Sequence, residues 1–400
     1  MDKLNVCSAD AIHSCTGCGM CSAACPLGAI SMKENAEGFY TPVIDAQKCT
    51  GCSLCRKVCY RFDGEFAPEK DADYECFSAV NKDENELAGA SSGAVSIELM
   101  RECIRQGYHV VGVAYDMQQN RAVTRIARTE GELEQFKGSK YFQSYTADAF
   151  REAANDRSAQ KYAVFATPCQ IYAFSKLADL KKNRDKYILV DIFCHGCPSL
   201  KLWDKYLAYV REKHGAKPFD SIRFRSKTHG WHEYSIDFIR GNQKTTSSKY
   251  DDPFHELFMG KDVFNRACYD CVARSSVEKA DLRIGDFWGR RHNMDTKGVS
   301  AVVISSERGK HLFEAVKPCF RTEKADFKEI VDAQSYGTVH SCNEQRRSAM
   351  FEMLAGNDGI GVIVKKRRKM LPVQVNIMRA LKAALKHLPS ALYLRLKNIL

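Results

Sequence analysis

The 400-residue sequence predicts a three-part chain of mixed α+β and α/β class. The parts are a cysteine-dense unit over residues 1–70, an α/β domain over 71–355 and a basic amphipathic helical tail over 356–400. Three observations predict this. Eight of the 18 cysteines fall in two close runs within the first 60 residues. From about residue 85 apolar, β-rich runs alternate with stretches of helical periodicity. Residues 361–400 hold 10 Lys/Arg and no Asp or Glu.

Hydrophobic residues at 44% and charged residues at 27% describe an ordinary globular chain. No apolar run reaches the roughly 18 residues that a membrane-spanning helix needs. The start, MDKLNVCSADAIHSC, lacks a charged segment followed by an apolar core, so no secretory signal is expected and the chain is placed in the cytoplasm. A long cytosolic chain keeps thiols reduced and uses clustered cysteines as metal ligands. The net charge of +11 is mostly a property of the tail, because residues 1–80 carry −4 and residues 361–400 carry +10.

In the first unit, Cys15, Cys18, Cys21 and Cys25 form C-x2-C-x2-C-x3-C followed by Pro26. Cys49, Cys52, Cys55 and Cys59 repeat the spacing, with Tyr60 in the proline's place. The flanking words CTGCGMC and CTGCSLC agree, which marks an internal duplication. Three thiolates from one tight turn cap three irons of a cubane, and Gly17 and Gly51 let the backbone wrap closely. The fourth cysteine of such a run ligates the other cluster in two-cluster ferredoxins. One 4Fe–4S cluster is therefore assigned to Cys15, Cys18, Cys21 and Cys59, and the other to Cys49, Cys52, Cys55 and Cys25. A zinc site would want four ligands in paired spacing.

The middle domain opens with the helix SIELMRECIRQG (96–107) and a strand pair, GYHVVGVAYD (107–116) with AVTRIAR (122–128). KYAVFAT (161–167) and KYILVDIF (186–193) suit buried strands. SLKLWDKYLAYVREKHG (199–215) reads as a helix capped by Ser199, with Leu202, Tyr206 and Tyr209 on one face. Residues 221–240 alternate like a hairpin, and 310–355 mix helix and loop. Ligands of α/β sheets collect where strands end, and Cys169 and Cys194 sit at two such ends. Each could equally be a small buried thiol. Cys268 and Cys271 form a C-x-x-C pair with no local partners.

The words SSGA (91–94), GSKYFQS (138–144), TPCQI (167–171), CHGCPS (194–199), FRSKTHGW (224–231), CYDC (268–271) and IGDFWG (284–289) follow the two cysteine runs in this order. The chain thereby resembles the family of beta subunits of coenzyme F420-reducing hydrogenases and dehydrogenases over roughly residues 10–320. The resemblance implies an iron–sulfur flavoprotein oxidoreductase that binds FAD. Its archaeal members exchange hydride with the deazaflavin F420, whereas bacterial and plant relatives act on other partners, some encoded beside polysaccharide-synthesis genes.

Carried over word by word, the resemblance implies a flavin-binding loop at Ser91, Ser92 and Gly93, where Ala94 replaces a usual glycine. Gly138, Ser139, Lys140 and Tyr141 are implied in a similar role, with Lys140 pairing with a phosphate or the flavin's pyrimidine edge. Thr167, Pro168, Gln170 and His195 adjoin implied ligands and would contact a cluster sulfide or the flavin. Asp286, Trp288 and Gly289 would floor the site. No catalytic acid or base is assigned, since hydride transfer at flavin N5 needs none at that step. The words also imply a third 4Fe–4S cluster on Cys169, Cys194, Cys268 and Cys271. A rival set, with Cys197 in place of Cys169, would make a zinc knuckle. Cys7, Cys76, Cys103, Cys197, Cys319 and Cys342 are otherwise expected to be ordinary thiols.

In the tail, KKRRKM (365–370) leads to an apolar face of Ile377, Leu381, Ala384, Leu385 and Leu388, with Arg379, Lys382 and Lys386 off it. This suits either an interfacial helix on anionic lipid or a helix docked on its own domain. Nucleic-acid binding is not expected, because no reader motif accompanies the charge. The expected partner is a redox protein or a small electron donor or acceptor. The alternatives to an enzyme are an electron-transfer subunit that feeds a separate catalyst, or a zinc-stabilised binding protein.

Overall fold

The computed structural model describes residues 4–7, 14–63, 73–233, 235–247 and 252–385. In the first unit, β1 (Ile30–Glu34) and β2 (Tyr40–Ile44) pair antiparallel with Ile30 opposite Ile44. Each cysteine run flanks one strand of this hairpin, as the duplication implies. Residues 64–69 and the rest of the link to the next domain lie outside the described residues up to position 72.

The α/β domain is built on a nine-stranded sheet. Its strands are β3 (Glu75–Asn81), β4 (Tyr108–Asp116), β5 (Arg121–Ala127), β6 (Ser144–Tyr145), β7 (Lys161–Phe165) and β8 (Tyr187–Ile192), joined by three later ones. A separate three-stranded sheet holds β9 (Ser221–Ser226), β10 (Ser235–Arg240) and β11 (Gln243–Thr246). The large sheet is completed by β12 (Leu282–Asp286), β13 (Ser300–Ile304) and β14 (Phe320–Lys324). Its order is β14-β3-β13-β12-β8-β7-β4-β5-β6. The central run β12-β8-β7-β4 is parallel, and antiparallel pairs flank it on both sides. The sequence runs 107–116, 122–128, 161–167 and 186–193 all form strands, and the 221–240 hairpin gains a third strand.

Alternation sorts the central strands between two faces. Ala163, Phe165, Ile188 and Val190 face one core with helices Val95–Arg105 and Glu307–Val316. Tyr162, Val164, Tyr187 and Leu189 face the other, under helices Ala147–Asn155 and Pro168–Leu180. Met20, Ala23 and Ala24 of the first unit belong to that second core, so the cysteine-dense unit is seated directly on the sheet's helical layer. Near-continuous apolar runs such as YILVDI are what a parallel strand covered on both faces requires.

A third core gathers helix Leu200–His214, the small sheet, helix Pro253–Gly260 and the helices Glu344–Ala355 and Ile360–Lys369. Ser199 caps the first of these, accepting from the Lys201 N–H at 3.1 Å, and Leu202 and Tyr206 are buried. The boundary expected at residue 355 is corrected here. Ile360, Ile363 and Val364 are buried, Arg367 pairs with Asp262 at 2.7 Å, and Arg368 pairs with Glu256. The two arginines of KKRRK thus serve the core, because buried Asp262 and half-buried Glu256 need cations, while its three lysines are exposed. Beyond it, helix Val373–Leu385 leaves Val373, Ile377 and Leu381 exposed. The expected break at Pro389 and the residues Lys386 and Leu388 lie outside the described residues. No helix among the described residues is long and apolar enough to cross a membrane.

Candidate metal and redox centre

The first cysteine run wraps a left-handed turn at Gly17 (φ 67°) and enters the short helix Met20–Ala24. A methyl group on Gly17 would lie 1.9 Å from Gln143 Nε2 and 2.5 Å from the Tyr40 carbonyl. The missing side chain therefore admits Gln143, which donates to the Thr16 carbonyl at 2.9 Å and accepts from the Tyr40 N–H at 2.6 Å. Thr146 donates to the Cys18 carbonyl at 2.9 Å, and Asn155 to the Ala23 carbonyl at 3.0 Å. These bonds fix the first cysteine loop on the sheet domain.

Cys15, Cys18, Cys21 and Cys59 lie close enough to raise one another's pKa. Burial is the larger cause, pushing Cys15 up to about 12 and Cys18 and Cys59 to about 11. Thiols so enclosed give up their protons when a cation takes the proton's place. Cys25, Cys49, Cys52 and Cys55 line one cavity together with Leu4, Ile30 and Leu54. Cys59 thus lies near the cysteines of the first run, and Cys25 lines the cavity of the second. Both sets offer four sulfurs on short turns, as a cubane asks; Cys18, Cys21 and Cys55 are buried and Cys52 is exposed.

The strand-end cysteines form a further group. Cys169 lies in the first turn of helix Pro168–Leu180, just after β7, and Cys194 follows β8. Cys268 and Cys271 lie on the turns around Arg266–Cys268 and Val272–Ser275. Burial is the main cause of the raised thiol pKa at Cys169, Cys194 and Cys268, and charge on the other thiols of the group adds to it. Cys169 also feels Cys18 of the first run, which places the group beside the first ferredoxin centre. Cys197 is close as well, next to Cys194 and Cys268, although no three His, Cys, Asp or Glu side chains among the described residues are grouped as a single metal ion would need.

Two buried guanidiniums brace this group. Arg274 donates to the carbonyls of Thr338 (2.7 Å), His195 (3.3 Å) and Cys268. Arg283 on β12 pairs bidentately with its register partner Asp191 on β8, both wholly buried. Each works against the rise in Cys194's pKa, and both offset negative charge on the sulfurs. The His195 ring packs against Phe258, Phe264 and His340, and its Nδ1 meets the Ser335 hydroxyl at 2.9 Å. Its Nε2 is buried with no hydrogen-bond partner. Burial and the nearby cations push its pKa down to about 4, so the ring is neutral at physiological pH.

The remaining expected site residues fall into two roles. Ser91 and Ser139 meet, the Ser139 N–H donating to Ser91 Oγ at 3.1 Å, so SSGA and GSKY share one surface beside Gly138. FRSKTHGW joins them: Lys227 donates to the Ser92 carbonyl at 2.6 Å, and Arg225 to Asp286 at 2.7 Å. Trp231 donates to the same Asp286 oxygen and stacks on Trp288 with ring centroids 4.7 Å apart. Lys227 was not singled out from the sequence, although its word was. Burial leads in pushing its pKa down to about 8.

Other residues are engaged by the protein itself. Gly93 sits against the sheet, where a Cβ would lie 2.0 Å from the Ala79 carbonyl, and Ser92 donates to Val299. Ala94 takes the left-handed conformation (φ 67°) that its glycine counterpart would hold without strain. Lys140 donates to the carbonyls of Gln135, Phe136 and Lys137 at 3.0–3.3 Å, and burial pushes its pKa down to about 7. All three of its donors are thereby used, against the expectation of a phosphate partner. Tyr141 packs on Phe258. Thr167, Pro168 and Gln170 form the cap of helix Pro168–Leu180, Gln170 accepting from the Thr167 N–H at 3.1 Å and donating to Ser144.

Residues 159–329 match the family described as the carboxyl terminus of the coenzyme F420 hydrogenase/dehydrogenase beta subunit, and residues 14–61 match the 4Fe-4S dicluster domain. The F(420)H(2) dehydrogenase of Methanosarcina mazei has a subunit that is 28% identical over 188 residues, which are 45% of this chain and 53% of that protein. The chain therefore spans about half the length of the curated relative it matches. A chain of the xenon-derivatised F420-reducing [NiFe] hydrogenase complex from Methanosarcina barkeri aligns over 76% of this chain and 94% of its own, at 17% identity and a TM-score of 0.46. With a dicluster 4Fe–4S domain set in front of the matched region, the chain is similar to coenzyme F420 hydrogenase/dehydrogenase beta subunits over residues 14–61 and 159–329.

Proposed function

We propose that this chain is an iron–sulfur flavoprotein oxidoreductase in which electrons pass between the two ferredoxin clusters, a third 4Fe–4S cluster and FAD. The observation that carries this reading is the proximity of Cys169, Cys194, Cys268 and Cys271 to one another, with Cys169 and Cys271 packed against the cluster that holds Cys18. A cluster there would stand next to the first ferredoxin centre and at the strand ends where α/β sheets hold cofactors. The surface where Ser91, Ser139, Lys227 and the Asp286–Trp288 corner converge supports flavin binding nearby. Clusters move single electrons and a flavin holds one or two, so FAD would exchange a hydride with an organic partner. The relative in Methanosarcina mazei supports an F420-like deazaflavin as that partner, and a different substrate, such as one of polysaccharide synthesis, remains the reading for a bacterial setting.

The second reading is an electron-transfer subunit that feeds a separate catalytic partner. It is favoured by the same relative being one subunit of a dehydrogenase. Work in the cytoplasm, with contact to the inner membrane face through helix Val373–Leu385, is supported by that helix's exposed apolar residues and by the acid-free tail.

Anaerobic purification followed by metal and flavin analysis tests the proposal. About twelve irons per chain, for three cubanes, and an extractable yellow flavin are expected. Zinc without flavin would overturn it. Turnover of F420 by the isolated chain then separates the enzyme from the electron-transfer subunit.

A further inference from the structure

We propose that the Tyr60 hydroxyl donates a hydrogen bond to sulfur in the gap between the first ferredoxin centre and the strand-end thiols, and so sets the reduction potential of the centre it reaches. The inference rests on the reading of both thiol groups as clusters. Tyr60 stands where the first repeat has Pro26, and the two repeat mates differ in their surroundings. Pro26 is exposed, whereas Tyr60 is 3% exposed.

The Tyr60 ring stacks on Tyr172, with centroids 4.8 Å apart and planes 15° from parallel. Tyr172 belongs to the helix whose first turn carries Cys169. Tyr60, Tyr172, Cys18 and Ala273 share one packed cluster, and Cys169 and Cys271 lie against it. Tyr60 also directly follows Cys59. One aromatic pair therefore fills the space between a cysteine of each group, and water is excluded there.

The Tyr60 hydroxyl is buried and has no hydrogen-bond partner, with the Thr16 side chain a polar neighbour that lowers its pKa. Burying a hydroxyl unpaired is costly, so an acceptor belongs in this gap. Cys18 shares the packed cluster with Tyr60, Cys169 and Cys271 lie against it, Thr16 is also near, and cluster sulfur accepts hydrogen bonds. A donor to sulfur stabilises the more negative, reduced cluster and raises its potential. The stack also holds the phenol ring in place, because Tyr172 is itself buried.

The test is an EPR-monitored redox titration of the full-length, cluster-loaded protein and its Tyr60→Phe variant. Phenylalanine keeps the ring and the stack and removes only the hydroxyl. One cluster is expected to shift to a more negative potential, with iron content and the other potentials unmoved. Unchanged potentials in Tyr60→Phe would overturn the proposal. So would a shift in Tyr60→Leu that Tyr60→Phe lacks, since that pattern assigns the effect to packing. Iron content separates this from the parent reading. About eight irons with zinc in the wild type would end the third-cluster reading, while Tyr60→Phe would still report on the centre that holds Cys18.

Discussion

At the residue scale, Cys169 and Cys197 are the two positions that decide what the strand-end group is. Cys169 adjoins Cys194, Cys268 and Cys271, Cys197 adjoins Cys194 and Cys268, and only Cys169 also lies near Cys18. A ligand to an electron-carrying cluster gains by lying toward the next centre, whereas a zinc ligand gains nothing. Cys169→Ser is expected to lose about four irons per chain, one cubane's worth, and Cys197→Ser to keep them. Iron and zinc analysis of the two variants checks this; the reverse pattern would restore the zinc knuckle. Residue identity alone could not choose, because a thiol at a strand end is as often a small buried side chain as a ligand.

At the element scale, the parallel pair β8 and β12 presents Cys194 and Asp286 at adjacent strand ends, and the Arg283–Asp191 pair holds the two strands in register just beneath. Removing one member leaves an uncompensated buried charge, so Arg283→Met is expected to destabilise the fold by about 3–5 kcal/mol. Denaturant unfolding of the variant measures this, and a double variant with Asp191→Leu should recover much of the loss. The strands and helices that the sequence revealed are those with clear period or caps: β4, β5, β7, β8 and the helix behind Ser199. The sequence did not reveal β3, β13 and β14. Their pairing is antiparallel and remote in sequence, β3 joining β13 across more than two hundred residues. Gln170 shows the same limit at a helix start. Beside a candidate ligand it invites a role toward a cofactor, yet its geometry is that of a capping box.

At the scale of the whole molecule, the cysteine-dense unit is part of the same packed body as the sheet. Gln143, Thr146 and Asn155 hold its first loop, and Arg347 pairs bidentately with Glu37 at 2.6–2.7 Å from the far side. Fixing two thiol groups in one rigid frame keeps the distance between centres constant, as electron transfer requires. The C-terminal stretch divides in two by burial. Helix Ile360–Lys369 is bound to the core, and helix Val373–Leu385 turns Val373, Ile377 and Leu381 outward. Placing that face on anionic lipid removes apolar area from water while the acid-free tail meets opposite charge. Replacing Ile377 and Leu381 together by Asp is expected to abolish co-sedimentation with phosphatidylserine-containing vesicles at low salt. Undiminished binding would show that this helix is not the contact.

The sequence by itself determined the two four-cysteine runs of a dicluster domain, the order of the motif words and the central α/β pattern. Each of these is written in spacing along a few residues, because a cubane, a strand and a helix impose short, regular periods. Tertiary structure alone decided that TPCQ, CHGC and CYDC gather beside Cys18, that Tyr60 fills the gap between the two groups, and that residues 360–369 belong to the core. Those outcomes depend on which distant apolar faces are buried against each other. No local spacing encodes that choice, and the same burial converted Tyr60 from a missing proline into a buried hydroxyl packed near the cysteines.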